Sequence, residues 1–483
     1  MSGRKNICFI TAVPESYHAQ RLAEGIFSQC NKYGYNVAVF ASMISISFYF
    51  KDYANGEKNI YELPDLSRFD GIIFDSISLV SDNDTAFAEK ICSKVTRQTD
   101  VPAFGIGIPI GDLPTLYSNN DEMFRELCRH AINVHGCKKL CLLTGMKGNT
   151  EAESRLGIML DEIEKCGLTV ADEHIIYGDF WYTSGKKLAD DIADGSISMP
   201  DAVIAASDHM AIGLIEELDA KGIRVPEDIR VLGFEAIQEG ALGRTTLTSI
   251  ESNFAKVGAD AVDRIRVIIE PSEELSPYIP NTKKMMYLGK SCGCDPDIER
   301  TLEKLRSSLY LKTRNYSSAL FMNDIDIGLL MENYIPEDLT ASQTPEECIE
   351  RIHNSTFIIA PFENFYLCLR EDWLENDGSE TGYPKRMKLV LAKSNCGETD
   401  FCNSISSVSF NTSEMLPQMF EEHVSPYVYY FSAVHFGEKT LGYAVLQRKL
   451  SDSRYFNLVY RNWLRFLNNA LEMVRSKNSY KMM

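Results

Sequence analysis

The sequence predicts an α/β protein with two lobes, each a doubly wound parallel sheet, followed by a smaller α+β domain. Three observations lead there. Short apolar runs alternate with amphipathic helical stretches from Asn6 to about Lys290, the beat of parallel strands joined by crossover helices. That beat runs twice, so the segment divides into similar halves. After Asp295 the beat stops, and helix-like spacing gives way to strands that pair as a hairpin.

Taken in order, Asn6 to Ala12 reads as a first strand and Ser16 to Lys32 as an amphipathic helix that Gly34 ends, since a helix end favours a residue able to take positive φ. Asn36 to Ala41 is a second strand. Leu63 to Phe69 leads into a third, Gly71 to Asp75, then a helix near Asp84 to Thr99 and a fourth strand opening at Val101. The second half continues with a helix over Asp121 to Val134, a strand over Lys138 to Thr144, a helix over Glu151 to Lys165, a strand over His174 to Tyr177 and a helix over Thr183 to Ala193.

The stretch Pro200 to Ile237 is the most informative. Ala202 to Ala206 is apolar and β-prone, and the chain breaks at Ser207-Asp208. Ala211 to Leu218 has helical spacing closed by Gly222, and Ile229 to Phe234 is a second apolar run ending on Glu235. Strand–helix–strand of this length suits a right-handed crossover. Continuous apolar strands suit a sheet covered on both faces. Both strands end in a carboxylate, and ligands of open α/β sheets bind beyond the carboxyl ends of the strands. Asp208 and Glu235 therefore point at one candidate site; alternatively, Asp208 only caps the helix that follows.

These residues resemble the second lobe of the sugar-responsive lactose/galactose-repressor (LacI/GalR) family. The resemblance lies in Pro200-Asp201-Ala202, Ser207-Asp208, Ala211-Ile212-Gly213, Gly222, Val225-Pro226-Glu227-Asp228 and Gly233-Phe234-Glu235. The chain departs at Ser207, where the family often has Asn, and at Glu235, where it has Asp. Thr248 to Ile250 and the helix Ala255 to Ile269 resemble the family's return to the first lobe, and Met285 to Lys290 its final strand. The resemblance implies a periplasmic-binding-protein-like domain over 1–294, with lobe one at about 5–112 and 251–277 and lobe two at about 113–250 and 278–290. Such lobes close on ligand by hinge motion. The resemblance starts at the first strand, so the family's helix-turn-helix headpiece is expected to be missing.

It also implies a site. Arg155 matches the arginine that opens the second-lobe helix and holds ligand hydroxyls, a role a planar fork of donors suits; otherwise it is an exposed helix arginine. Asn119 and Asn120 match the family's Asp-Asn pair at the lobe crossover, with Asn119 in place of the acid. Phe180 and Trp181 match the loop bearing an aromatic platform, whose faces stack on a sugar ring or a base; either ring could instead be core. Ser207 joins this wall. Ser16 and Tyr17 line the other, with the loop around Ser47 to Tyr49.

Beyond 294, Ile298, Leu302, Leu305, Leu309 and, through Lys312, Tyr316 follow four- and three-residue steps, a coiled-coil-like seam on a linker helix over 295–325 or else a helix packed on its own domain. Residues 326–483 read as α+β: a helix at Pro345 to His353, strands at Phe357 to Ile359 or Phe365 to Leu369 and at Met387 to Ala392, a hairpin of Tyr427 to Val434 with Leu441 to Gln447, and a closing helix from Tyr455 to about Arg475. That order resembles a GAF-like sensor domain, with Leu441 to Leu446 as its late strand. Similar architectures stand upstream of diguanylate-cyclase (GGDEF) output domains; no such output motif is present.

Composition narrows the function. The 49 basic and 68 acidic residues of 483 give a net charge of −19, which lacks the basic footprint of nucleic-acid binding and disfavours a membrane surface. No segment reads as a signal peptide or membrane span. The 13 cysteines are odd in number and scattered through apolar runs, as in a reducing cytoplasm. Cys292 and Cys294 form the one close pair, but with no second pair or neighbouring histidine they are expected as loop thiols rather than zinc ligands. The eight histidines show no pair at metal-ligand spacing. Gly105, Gly107 and Gly111 miss the dinucleotide spacing, Gly145 to Thr150 is no P-loop, and no serine sits in a Gly-x-Ser-x-Gly elbow.

The expectation is therefore a cytoplasmic, homodimeric sensor without a cofactor. It closes on a sugar or sugar-like metabolite and relays that state through the linker helix to the GAF-like domain or to an output partner. The competing readings are a transcriptional regulator that reaches DNA by an unrecognised surface or through another protein, and a sugar-acting enzyme, for which no catalytic motif is present.

Overall fold

The structure, a computed structural model, describes residues 4–296 and 333–482, except 47, 81–84, 99, 119, 272, 276–285, 376–381, 395–402, 405–407, 418, 422–423 and 453–457. The expected linker helix at 295–325 therefore lies outside the described residues apart from its first two positions, as does Asn119. The chain forms two compact units: Met1–Tyr117 with Phe254–Ile279 and Tyr316–Met483, and Ser118–Asn253 with Pro280–Asn315.

In the first unit, strand β1 (Asn6–Ala12) leads into helix α1 (Tyr17–Tyr33), which Ser16 caps by accepting from the Ala19 amide. Then follow β2 (Asn36–Ser42), α2 (Lys51–Lys58), β3 (Gly71–Asp75), α3 (Ser76–Leu79), α4 (Ala86–Gln98), β4 (Ala103–Ile106) and the two-residue β5 (Thr115–Leu116). Strands β2, β1, β3, β4 and β5 are parallel neighbours in that order. Alternate residues of β1 face opposite ways: Ile7 and Phe9 join one apolar core, Cys8 and Ile10 the other, as a pleated strand covered on both faces requires.

The second unit opens with α5 (Asp121–Arg129) and a π-helical turn (His130–Val134). It continues with β6 (Leu140–Thr144), α6 (Thr150–Lys165), β7 (Ile175–Tyr177), α7 (Tyr182–Ala193), β8 (Ala202–Ala205), α8 (Asp208–Ala220), β9 (Arg230–Glu235), α9 (Gln238–Leu242) and β10 (Thr248–Glu251). Helix α10 (Phe254–Ile269) belongs to the first unit, and β11 (Met286–Tyr287) returns to the second. Sheet order is β11-β10-β9-β8-β6-β7, parallel except for β11. The strand at 248–250 thus stays in the second sheet, and only the helix after it returns to the first lobe.

The carboxy-terminal residues supply α11 (Ile335–Thr340), α12 (Pro345–Ser355), β12 (Asn364–Arg370), β13 (Arg386–Ser394), β14 (Asn403–Ser404), β15 (Val408–Asn411), β16 (Tyr427–Phe436), β17 (Lys439–Lys449) and α13 (Leu458–Met482). The strand expected at Phe357 to Ile359 is a 3-10 turn, and the alternative over Phe365 to Leu369 is β12. Strands β13, β12, β17 and β16 form an antiparallel run.

That run does not stand apart. Strand β16 lies parallel to β2, with Val428, Tyr429, Tyr430 and Phe431 opposite Val37, Ala38, Val39 and Phe40, and the Asn36 side-chain oxygen accepts from the Tyr427 amide at 3.0 Å. The Phe40 and Phe431 rings stack at 4.6 Å. One core holds Ile26, Val39 and Val262 together with Leu367, Trp463 and Leu467. Residues expected as a separate domain continue the first lobe's sheet and share its cores, because β2 would otherwise present an apolar edge with unpaired backbone groups.

Candidate functional site

The carboxyl ends of β6, β7, β8 and β9 in the second unit gather most of the sequence-nominated residues. Arg155, on the first turns of α6, is buried rather than an exposed helix arginine. Its Nη1 donates to the Ala206 carbonyl at 2.6 Å. Its guanidinium lies 5.5, 5.2 and 5.0 Å from the ring centres of Phe124, Phe180 and Phe234. Three aromatic faces stabilise a cation that burial alone would penalise. Phe124 and Phe234 also stack on each other at 4.3 Å. The sequence nominated neither as a site residue, because the box is assembled from three elements far apart in the chain.

Asp208 is wholly buried, and Ser207, not Asp208, caps α8 by accepting from the Met210 amide at 3.2 Å. One Asp208 oxygen accepts from the Ile237 amide at 2.8 Å and the other from the Ser249 hydroxyl at 2.6 Å. Ser249 in turn accepts from the Ala236 amide at 2.9 Å. This relay pins the turn after β9, where Glu235 and Ala236 take φ of 103° and 51°. Positive φ at non-glycine residues persists only where the surroundings impose it, and such strain clusters at functional sites. Gly233 carries the same constraint: a Cβ there would meet an Asp208 oxygen at 2.2 Å. The Gly-Phe-Glu of the motif is thus a glycine that clears the carboxylate, a phenylalanine under Arg155 and a half-buried glutamate held in a strained turn.

The loop after β7 behaves alike. Phe180 has φ of 64°, and its carbonyl accepts from the Ser207 hydroxyl at 2.9 Å. Trp181 is 55% exposed and stacks on His209 at 4.5 Å, so it is not core. Burial of His209 lowers its pKa below the ordinary imidazole value, against an opposing pull from Glu239. Asn120 is buried; its side chain accepts from the Asn253 amide at 3.0 Å and donates to the Ser118 hydroxyl at 3.0 Å. It therefore ties together the two segments that carry the chain into and out of this unit.

Ser16 and Tyr17 belong to the first unit, at the carboxyl end of β1, where Val13 takes φ of 48°. The same edge carries Asp75, wholly buried at the end of β3. It accepts from the Thr11 hydroxyl at 2.7 Å and lies 2.8 Å from His18 Nε2. Burial pushes the Asp75 carboxyl up, but the charge of His18 and the hydrogen bonds outweigh it and leave the pKa below the usual range.

The structure places two histidines beside the cysteine pair that was expected as loop thiols. His130 opens the π-helical turn and His135 directly follows it, and their Nε2 atoms lie 3.1 Å apart beside the Cys292 and Cys294 thiols. Five residues exceed the usual three-to-four-residue helical spacing, but a π turn brings such positions onto one side. A sequence scan for α-helical pairs passes over them.

Residues 130–283 match the family described as periplasmic binding protein-like domain. Over 156 residues the chain is 28% identical to the HTH-type transcriptional repressor PurR of Glaesserella parasuis serovar 5 (strain SH0165), covering 31% of this chain and 45% of the repressor. It is 26% identical over 151 residues to the HTH-type transcriptional repressor CytR of Escherichia coli (strain K12), covering 31% and 44%. These matches span under half the length of either relative. The crystal structure of a transcription regulator from Lactobacillus plantarum superposes with a TM-score of 0.43 at 24% identity, over 59% of this chain and 98% of that one. Residues 130–283 are thus similar to a periplasmic-binding-protein-like domain, and both of these relatives are named as transcriptional repressors. No residue of 326–483 falls within the family match. Among the described residues no helix is long and apolar enough to cross a membrane.

Proposed function

We propose that the protein is a small-molecule-responsive regulator whose ligand, a sugar or sugar-like metabolite, engages the carboxyl edge of the second unit's sheet. The observation that supports this is the convergence there of a buried arginine on three aromatic faces with a glutamate held in a strained turn. Arg155 is a donor for ligand hydroxyls, Glu235 an acceptor for them, and Phe180 and Trp181 are flat faces for a sugar ring. Asp208, Ser207 and Asn120 act as positioning residues, since their described hydrogen bonds hold loops of this site in place. The relatives are named as transcriptional repressors, which favours control of transcription as the process.

The ligand shifts the protein only by its differential affinity for one conformation. Its presence is read out through residues 326–483, whose β16 pairs with β2 in the first unit, or through a partner protein, with a homodimer as the working assembly. Thermal unfolding of the full chain against a panel of sugars, nucleosides and amino acids should reveal a ligand that raises Tm. Arg155→Ala should lose that rise, and an unchanged response would place the ligand elsewhere. A gel-mobility shift at low salt tests the second reading, direct DNA binding; a shift that survives moderate salt would favour it over a ligand sensor acting through partners.

A further inference from the structure

We propose that His130, His135, Cys292 and Cys294 form a four-ligand structural zinc site in the second unit. Their ligand atoms all lie within 4.8 Å of one another. Cys292 Sγ and Cys294 Sγ stand 3.5 and 3.7 Å from His130 Nε2, and Cys294 Sγ stands 3.5 Å from His135 Nε2. With Zn–N and Zn–S bonds near 2.05 and 2.3 Å, a tetrahedral ion spaces its ligands by about 3.3 Å between nitrogens and about 3.6 Å between nitrogen and sulfur. The observed separations of 3.1, 3.5, 3.5 and 3.7 Å follow those edges.

The backbone is shaped for the cluster. The π turn over His130–Val134 brings the two imidazoles to a centroid distance of 4.9 Å. On the other side Gly293, at φ of 94°, turns the chain between the two cysteines, a conformation glycine adopts without strain. Groups around the ligands are also placed. The Thr248 hydroxyl donates to Cys292 Sγ at 2.9 Å, and Arg230 Nε donates to the Cys292 carbonyl at 3.0 Å. Hydrogen bonds to ligating sulfurs of this kind orient and stabilise thiolates.

Two imidazoles and two thiolates suit zinc over calcium or magnesium, which take oxygen ligands. Four protein ligands complete the tetrahedron, so the site is structural rather than catalytic. It would fasten the segment after β11 to the end of α5, joining residues 162 positions apart.

The test uses the full-length protein without a histidine tag, purified under reductant, with metal content read by mass spectrometry. About one zinc per chain is expected, since ligand sets of this kind bind the ion tightly at neutral pH. Cys294→Ser and His135→Ala should each lose most of it. If either variant fails to fold, the wild-type protein still decides: replacing zinc with cobalt should give the visible bands of a tetrahedral ion and a thiolate-to-cobalt absorption. The proposal is overturned by wild-type protein that stays zinc-free after reconstitution, by a different metal at that stoichiometry, by zinc retained in the Cys292→Ser/Cys294→Ser double variant, or by a cobalt spectrum lacking the thiolate band.

Discussion

The side chains of the second unit's carboxyl edge divide into those that face outward and those that hold them. Ser249 is the smallest of the second kind. Its hydroxyl joins the Ala236 amide to the Asp208 carboxylate, and Ser249→Ala leaves both without that partner in a buried place. A loss of about 1–3 kcal/mol is expected from such an orphaned pair, measured by urea unfolding, together with weaker ligand binding because the Glu235 turn relaxes. Asp75 makes the corresponding prediction for the first unit. Its folded pKa is depressed, so its contribution is present above its unfolded pKa and is lost as pH falls through the lower folded value. Stability of the wild type should therefore decline steeply below about pH 4. In Asp75→Asn that decline should be shallower, starting from a lower plateau at pH 7; equal slopes would show that Asp75 titrates as an ordinary surface acid.

Among the elements, β2 decides most. A strand with β1 on one side needs something on the other, and β16 supplies it with four facing residue pairs. The Phe40–Phe431 stack is the ring contact across this seam. Either residue changed to alanine should cost about 3–5 kcal/mol as a buried aromatic truncation. The double variant should fall short of the sum by about 0.5–1.5 kcal/mol, the coupling of a stacked pair. Full additivity in denaturant melts would mean that the two strands are not paired in solution. Element boundaries were largely legible: Asn6 to Ala12 and Gly71 to Asp75 match β1 and β3 end to end. Where two β-prone segments competed, Phe365 to Leu369 falls within β12, while Phe357 to Ile359 lie in a 3-10 turn that shares a core with α13.

For the molecule as a whole, the shared sheet carries a consequence for dissection of the chain. A fragment of residues 1–294 would expose the β2 edge, with Val37, Val39 and Phe40, that β16 covers. It should aggregate on expression while the full chain stays soluble; a soluble, cooperatively melting fragment would show the first lobe complete without the carboxy-terminal strands.

By itself the sequence determined the alternation of strand and helix, the strand end that bears Glu235, and the place of Arg155 near the start of its helix, while Asp208 opens α8 rather than ending β8. Those features are written in local periodicity and turn chemistry, which short stretches of chain carry intact. Only the tertiary structure decided that Asp208 serves the Glu235 turn, that Phe124 and Phe234 cradle Arg155, that His130 and His135 meet Cys292 and Cys294, and that β16 continues the amino-terminal sheet. Each of these is a contact between segments far apart in sequence, set by which apolar faces and unpaired backbone edges must cover one another, and no local pattern of residues encodes it.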